Sequence, residues 1–90
     1  MADNVFIAFQ NNSDAQPIID AIVADNPHAT STESPGMIKI DAPGRLVIKR
    51  ETVSMNAGRD FDLQELHINL ISLGGSVDED DDEFVLSWGA

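Results

Sequence analysis

Six consecutive carboxylates, Asp78 to Glu83, stand between a double glycine and the apolar run FVLSW. Asp78, Asp80 and Asp82 have the spacing of the first three ligands of an EF-hand calcium loop. Such a loop needs glycine at its sixth position and a bidentate glutamate at its twelfth. Those positions hold Glu83 and Gly89, so the pattern fails twice. A solvated acidic turn is the expected reading. A carboxylate-bridged di-iron site would need Glu-x-x-His pairs on facing helices. The chain has two histidines, in the contexts DNPH and ELH, and neither fits. LGGSV lacks the lysine of a phosphate loop, and no serine lies in a G-x-S-x-G elbow. His28 and His67 have no partner motif for general-base work. The expectation is a chain with no catalytic residue, no metal and no cofactor of its own.

Composition narrows the remaining classes. Ninety residues at 42% hydrophobic content suit one domain, residues 1–90, with a modest core. A chain of this size buries only about 60–65% of its unfolded surface. There is no cysteine, hence no disulfide, thiolate metal site or thiol nucleophile. The start, MADNVFIAFQNN, has no basic region and too short an apolar stretch for a signal peptide. No later segment approaches the length of a membrane span. These features indicate a cytoplasmic protein without a membrane. The net charge of −11 opposes binding to nucleic acid, which needs a cationic surface. The five basic residues all fall between Lys39 and Arg59, apart from the acidic run. A basic partner surface, reached by electrostatic steering, would suit such a molecule.

The elements that hold these residues follow from periodicity. NVFIAFQ is apolar on both alternating faces, as in a strand covered on two sides. SDAQPIIDAIVADNP predicts a helix capped by Ser13 or Asp14, with Ser13 and Gln16 as a capping box. Pro17 lies in its first turn, and Asn26-Pro27 stops it. Ile18, Ile19, Ile22 and Val23 form its apolar stripe. HATSTES suits an edge strand, and SPG a turn. MIKI and RLVIKR, joined by DAPG, predict a hairpin with basic residues outside. ETVSMNAG predicts a short helix capped by Thr52 and ended by Gly58. A second helix is expected from Asp60 or Asp62, with Asp62 and Glu65 as a capping pair. Its stripe is Leu63, Leu66, Leu70 and Ile71, and Gly74 or Gly75 ends it. Phe84, Leu86 and Trp88 then alternate into the core. The sum is an α+β fold in the order β-α-β-β-β-α-α-β, with helices on an antiparallel or mixed sheet. Ile68, Asn69, Ser72 and Leu73 lie off the main stripe and lead into the double glycine, a candidate contact surface.

FIAFQNN, AIVADNPHA, IKRETV and DLQELHINLISLGGSVDEDDDEFVLSW together resemble the regulatory, or coupling, component of bacterial multicomponent phenol hydroxylases. That family is related to regulatory protein B of soluble methane monooxygenase. The resemblance covers nearly the whole chain. It implies a cofactor-free protein that binds the iron-carrying subunit of a di-iron hydroxylase oligomer and promotes NADH-dependent oxygen activation and aromatic hydroxylation. The electrons would come from a reductase containing FAD and an iron–sulfur cluster. The docking surface it implies is His67, Ile68, Asn69, Ser72, Leu73, Gly74, Gly75 and Asp78. Asn69 and Ser72 match the family's small polar cluster, whereas Ile71 and Leu73 replace small hydroxyl residues. The alternative function is an acidic mimic of nucleic acid that blocks a DNA-binding protein. A mimic should spread its carboxylates in rows, and here six of sixteen are bunched in one run.

Overall fold

The computed structural model describes residues 4–88. Strand β1 (Asn4–Gln10) leads into helix α1 (Gln16–Asp25), then strands β2 (Thr30–Ser34), β3 (Met37–Pro43) and β4 (Arg45–Lys49). Helix α2 (Arg50–Ala57) follows, then a 3-10 turn (Leu63–Glu65) continuing into the one-turn helix α3 (Leu66–Asn69). Strands β5 (Leu70–Gly74), β6 (Ser76–Glu79) and β7 (Glu83–Ser87) complete the chain. The α+β class therefore holds, with two more strands near the C-terminus than the sequence pattern indicates.

The strands form two antiparallel sheets, ordered β2-β3-β1-β5 and β4-β7-β6. MIKI and RLVIK are thus not a hairpin. β3 pairs with β1 and β2, while β4 pairs with β7 in the other sheet. Gly44, at φ +75°, turns the chain from one sheet to the other, a conformation that disfavours any side chain. β3 instead forms a hairpin with β2, across Pro35-Gly36, and β2 is the exposed edge expected of it.

One apolar core joins the sheets and helices. β1 contributes Val5, Ile7 and Phe9, α1 gives Ile18, Ile19 and Ile22, and β4 and β7 give Leu46, Ile48, Phe84 and Leu86. Val23 and Trp88, both assigned to the core, lie outside it. Val23 is 47% exposed, beyond the edge of the α1 stripe. Trp88 is 50% exposed, and its indole N–H donates to the Asn4 carbonyl at 2.8 Å. Its amphipathic ring lies over the strand end instead of entering the core.

The helix ends also differ in detail. Asn12, not Ser13 or Asp14, bonds the start of α1: its Oδ1 accepts from Ala15 N–H at 2.9 Å. Thr52 lies inside α2, whose N-cap position is Lys49. Gly58 ends α2 as expected, and Asp62 with Glu65 forms the capping box. Asn26 stops α1 and does more. Its Nδ2 donates to the carbonyls of Ile22 and Val47, and its Oδ1 accepts from Val47 N–H, at 2.7–2.9 Å. One amide thereby closes the helix and occupies the open edge of β4.

Candidate functional site

The segment expected to be one long helix, Asp62 to Leu73, is two different structures. The helix stops at Asn69, and Leu70–Gly74 becomes β5, paired along the free edge of β1. A continued helix would leave the β1 backbone unpaired on that side, so tertiary pairing overrides the helical spacing. Leu70 and Leu73 pack against the core from the strand. A β-bulge places Leu70 and Ile71 opposite the single residue Phe9. Ile71, assigned to the buried stripe, is therefore turned outward and is 48% exposed.

The eight candidate docking residues separate into two groups. His67, Ile68, Ser72 and Asp78 are exposed, Ile68 by 71%. Leu73, Gly74 and Gly75 are partly covered, and Asn69 is buried, with 8% of its surface exposed. Asn69 Oδ1 accepts from Asn12 Nδ2 at 3.0 Å, so its oxygen faces the loop between β1 and α1. Gly74 and Gly75 do not end a helix. The Phe6 ring lies over Gly74, where a Cβ would collide with Cε1. Lys39 Nζ covers the same ring, 4.6 Å from its centroid, and also faces Asp41 at 3.6 Å. Gly75, at φ +139°, crosses from β5 to β6 in the other sheet.

The acidic run is the tip of the β6–β7 hairpin, not a turn between a helix and the last strand. Asp78 and Glu79 belong to β6 and Glu83 to β7. Asp80 Oδ1 accepts from the backbone N–H groups of Asp82 and Glu83, both at 2.8 Å. These two donors, Asp82 first, hold the Asp80 carboxyl below its usual range. The Asp82 carbonyl accepts from Arg50 N–H at the start of α2, and the Arg50 guanidinium meets its carboxylate at 3.2 Å. Glu79 accepts from Gln64 Nε2 at 2.9 Å and lies 3.9 Å from His67 Nε2. The run is thus tied to α2 on one side and to the 3-10 turn on the other.

The same turn is held from behind. The Arg59 guanidinium is bidentate to Glu65, at 2.8 and 3.1 Å, and Glu65 Oε2 also accepts from Asp62 N–H. The Arg59 bond, then the Asp62 N–H, depress the Glu65 pKa.

A pH effect follows from these depressed carboxyls. Their stabilisation is complete above the ordinary carboxylate range and is lost as pH falls through the lowered values. The acid limb of melting temperature against pH should therefore be shallower in Asp80→Asn, whose amide oxygen still accepts both N–H groups. An unchanged limb would assign the acid sensitivity to other carboxylates.

Among the described residues no three His, Asp or Glu side chains are grouped to hold a metal ion, and no helix is long and apolar enough to cross a membrane. Gly89, the last position of the calcium-loop comparison, lies outside the described residues. What the fold offers is a ridge of exposed Ile68, Ile71 and Ser72 beside an anchored acidic hairpin. The fold and this ridge define a small α+β protein with a candidate contact surface.

Residues 3–87 match the MmoB/DmpM family, and the chain belongs to it. It is 52% identical to the stimulatory component DmpM of phenol 2-monooxygenase from Pseudomonas sp. (strain CF600), over 98% of each chain. A chain in a structure of a phenol hydroxylase–regulatory protein complex matches with a TM-score of 0.93 and 50% identity, covering 97% of this chain and all of that one. Regulatory protein B of soluble methane monooxygenase shares the fold, at a TM-score of 0.77 and 18% identity, over 99% of this chain and 67% of its own.

Proposed function

We propose that this protein is the regulatory component of a phenol monooxygenase system. It docks on a di-iron hydroxylase and promotes coupled, NADH-dependent oxygen activation and aromatic hydroxylation. The observation that carries this reading is the end-to-end identity with a phenol 2-monooxygenase stimulatory component. The metal and redox chemistry belong to the partners: di-iron in the hydroxylase, FAD and iron–sulfur in the reductase. The protein acts in the cytoplasm as a single domain.

The docking surface is His67, Ile68, Ile71, Ser72 and Asp78, presented by α3, β5 and β6, with Leu73, Gly74 and Gly75 shaping it from below. Sequence periodicity missed Ile71, since nothing in the helical spacing signals a bulge. A protein without cofactors changes a partner's barrier by binding two of its states unequally. A hundredfold rate change needs about 2.7 kcal/mol of such difference. A few well-packed contacts at this ridge suffice.

The test is phenol oxidation by purified hydroxylase and reductase, with this protein titrated from zero to excess. Product formed per NADH should rise and saturate near one protein per iron site. A flat titration with no hydroxylase binding would overturn the reading.

The exposed carboxylates of the hairpin steer this encounter towards basic residues of the hydroxylase. Between about 0.01 and 1 M salt the screening length shrinks from about 30 Å to about 3 Å. Association followed by stopped flow should slow several-fold over that range. Salt-independent association would leave the run a purely solvating role.

A further inference from the structure

Asn69 is the buried polar side chain of the described core, and it lies where α3 gives way to β5. Its oxygen is satisfied by Asn12, which stands 57 residues earlier in the loop between β1 and α1. The orientation of this pair is fixed by a neighbour. Ala15 N–H can only donate, so the Asn12 oxygen must face it, and the Asn12 amide is left pointing at Asn69. Asn12 thus joins the start of α1, whose buried face is part of the core, to the last helical residue before the bulge.

A one-residue slip in a strand turns every side chain to the opposite face. Ahead of the bulge a slip would turn Ile71 inward and Leu70 outward, breaking the ridge of Ile68, Ile71 and Ser72. Beyond it, Leu73 in the core and Gly74 under the Phe6 ring hold the strand, but Leu70 and Ile71 suit burial equally and do not choose. A buried amide does choose. It is satisfied at one place only, and burying it elsewhere leaves its polar atoms without partners.

We propose that the Asn12–Asn69 pair is the positioning device that sets the register at the start of β5, and with it whether Ile71 faces the hydroxylase. This rests on the docking reading above. When only part of the population holds the binding register, apparent affinity falls by that fraction while the bound complex is unchanged. The effect therefore lies in the half-saturating concentration and not in the plateau.

Two variants separate the roles. Asn12→Ala removes the amide that reaches Asn69, while Ala15 N–H keeps the Asn12 backbone carbonyl at 3.2 Å. Asn69→Ala removes the other partner. In titrations of purified hydroxylase and reductase, run well below the melting temperature, each variant should raise the half-saturating concentration about five-fold or more. Stimulation at saturation should stay within about twofold of wild type, and the double variant should be no worse than the weaker single one. Val53→Ala, a core truncation in α2, should lower the melting temperature at least as much without this shift.

Unchanged half-saturation in either single variant would overturn the proposal. So would effects that multiply in the double variant, or an equal shift in Val53→Ala. If wild type itself neither binds nor stimulates, the functional reading fails instead.

Discussion

Replacing Asn26 by alanine lowers the melting temperature by about 8–30 °C. The Asn26 amide makes three hydrogen bonds, two of them to the backbone of Val47 and one to Ile22 at the end of α1. Each such bond contributes about 0.5–1.5 kcal/mol net, and stranding a partly buried backbone group costs more than the mean. A loss of about 2–4 kcal/mol follows. In a domain of this size each kcal/mol moves the midpoint by about 4–8 °C. Aspartate at this position keeps the acceptor for Val47 N–H but turns its second oxygen on two carbonyls, so Asn26→Asp should melt no higher than alanine. A thermal melt of the three proteins decides it. A drop in Asn26→Ala below about 3 °C would mean that water replaces the amide at the β4 edge.

The second large effect is at Gly74. A methyl group there would occupy the space of the Phe6 ring, which must swing away from the strand and from Lys39. Overpacking of this kind costs about 1–3 kcal/mol. The cost should largely vanish when the ring is also shortened, because Gly74→Ala and Phe6→Leu remove one shared clash. A double-mutant cycle by denaturant unfolding measures that coupling. Additive losses would show that Gly74 is needed for backbone freedom and not for the ring. Gly74 is thus retained for packing inside the sheet, directly beneath the surface proposed for docking.

How much could be read from the chain depends on the range of the interactions. Helix α1, its stop at Asn26, the exposed β2 strand, the turn at Pro35-Gly36 and the Asp62–Glu65 box are all set by neighbours in sequence. Each was legible. The partition of β3 and β4 between two sheets was not, because adjacent strands with one turn between them look like a hairpin whichever partners they take. The change from α3 to β5 was hidden for a related reason. Leu63, Leu66, Leu70 and Ile71 satisfy helical spacing, and only the unpaired edge of β1 decides against it. At the candidate site, exposure of Ile68 and Ser72 followed from their place off the stripe. The burial of Asn69 did not, since an asparagine near a helix end gives no sign of a partner in a distant loop. Trp88 misled because alternation with Phe84 and Leu86 extends one residue beyond the sheet's cover.

β1 is the first strand to be made and the one least able to complete itself. Its two neighbours in the sheet come from residues 37–43 and 70–74, and its carbonyl at Asn4 waits for Trp88. Such distant pairings must bear the entropy of closing long loops before any contact rewards them, which places folding on the millisecond-to-second scale. A chain still emerging from the ribosome therefore holds an open strand edge for most of its synthesis. The net negative charge keeps that edge from pairing with other chains. The edge closes only when residues 70–74 and Trp88 meet it. Trp88 is the only tryptophan, and its fluorescence should report this final closure directly.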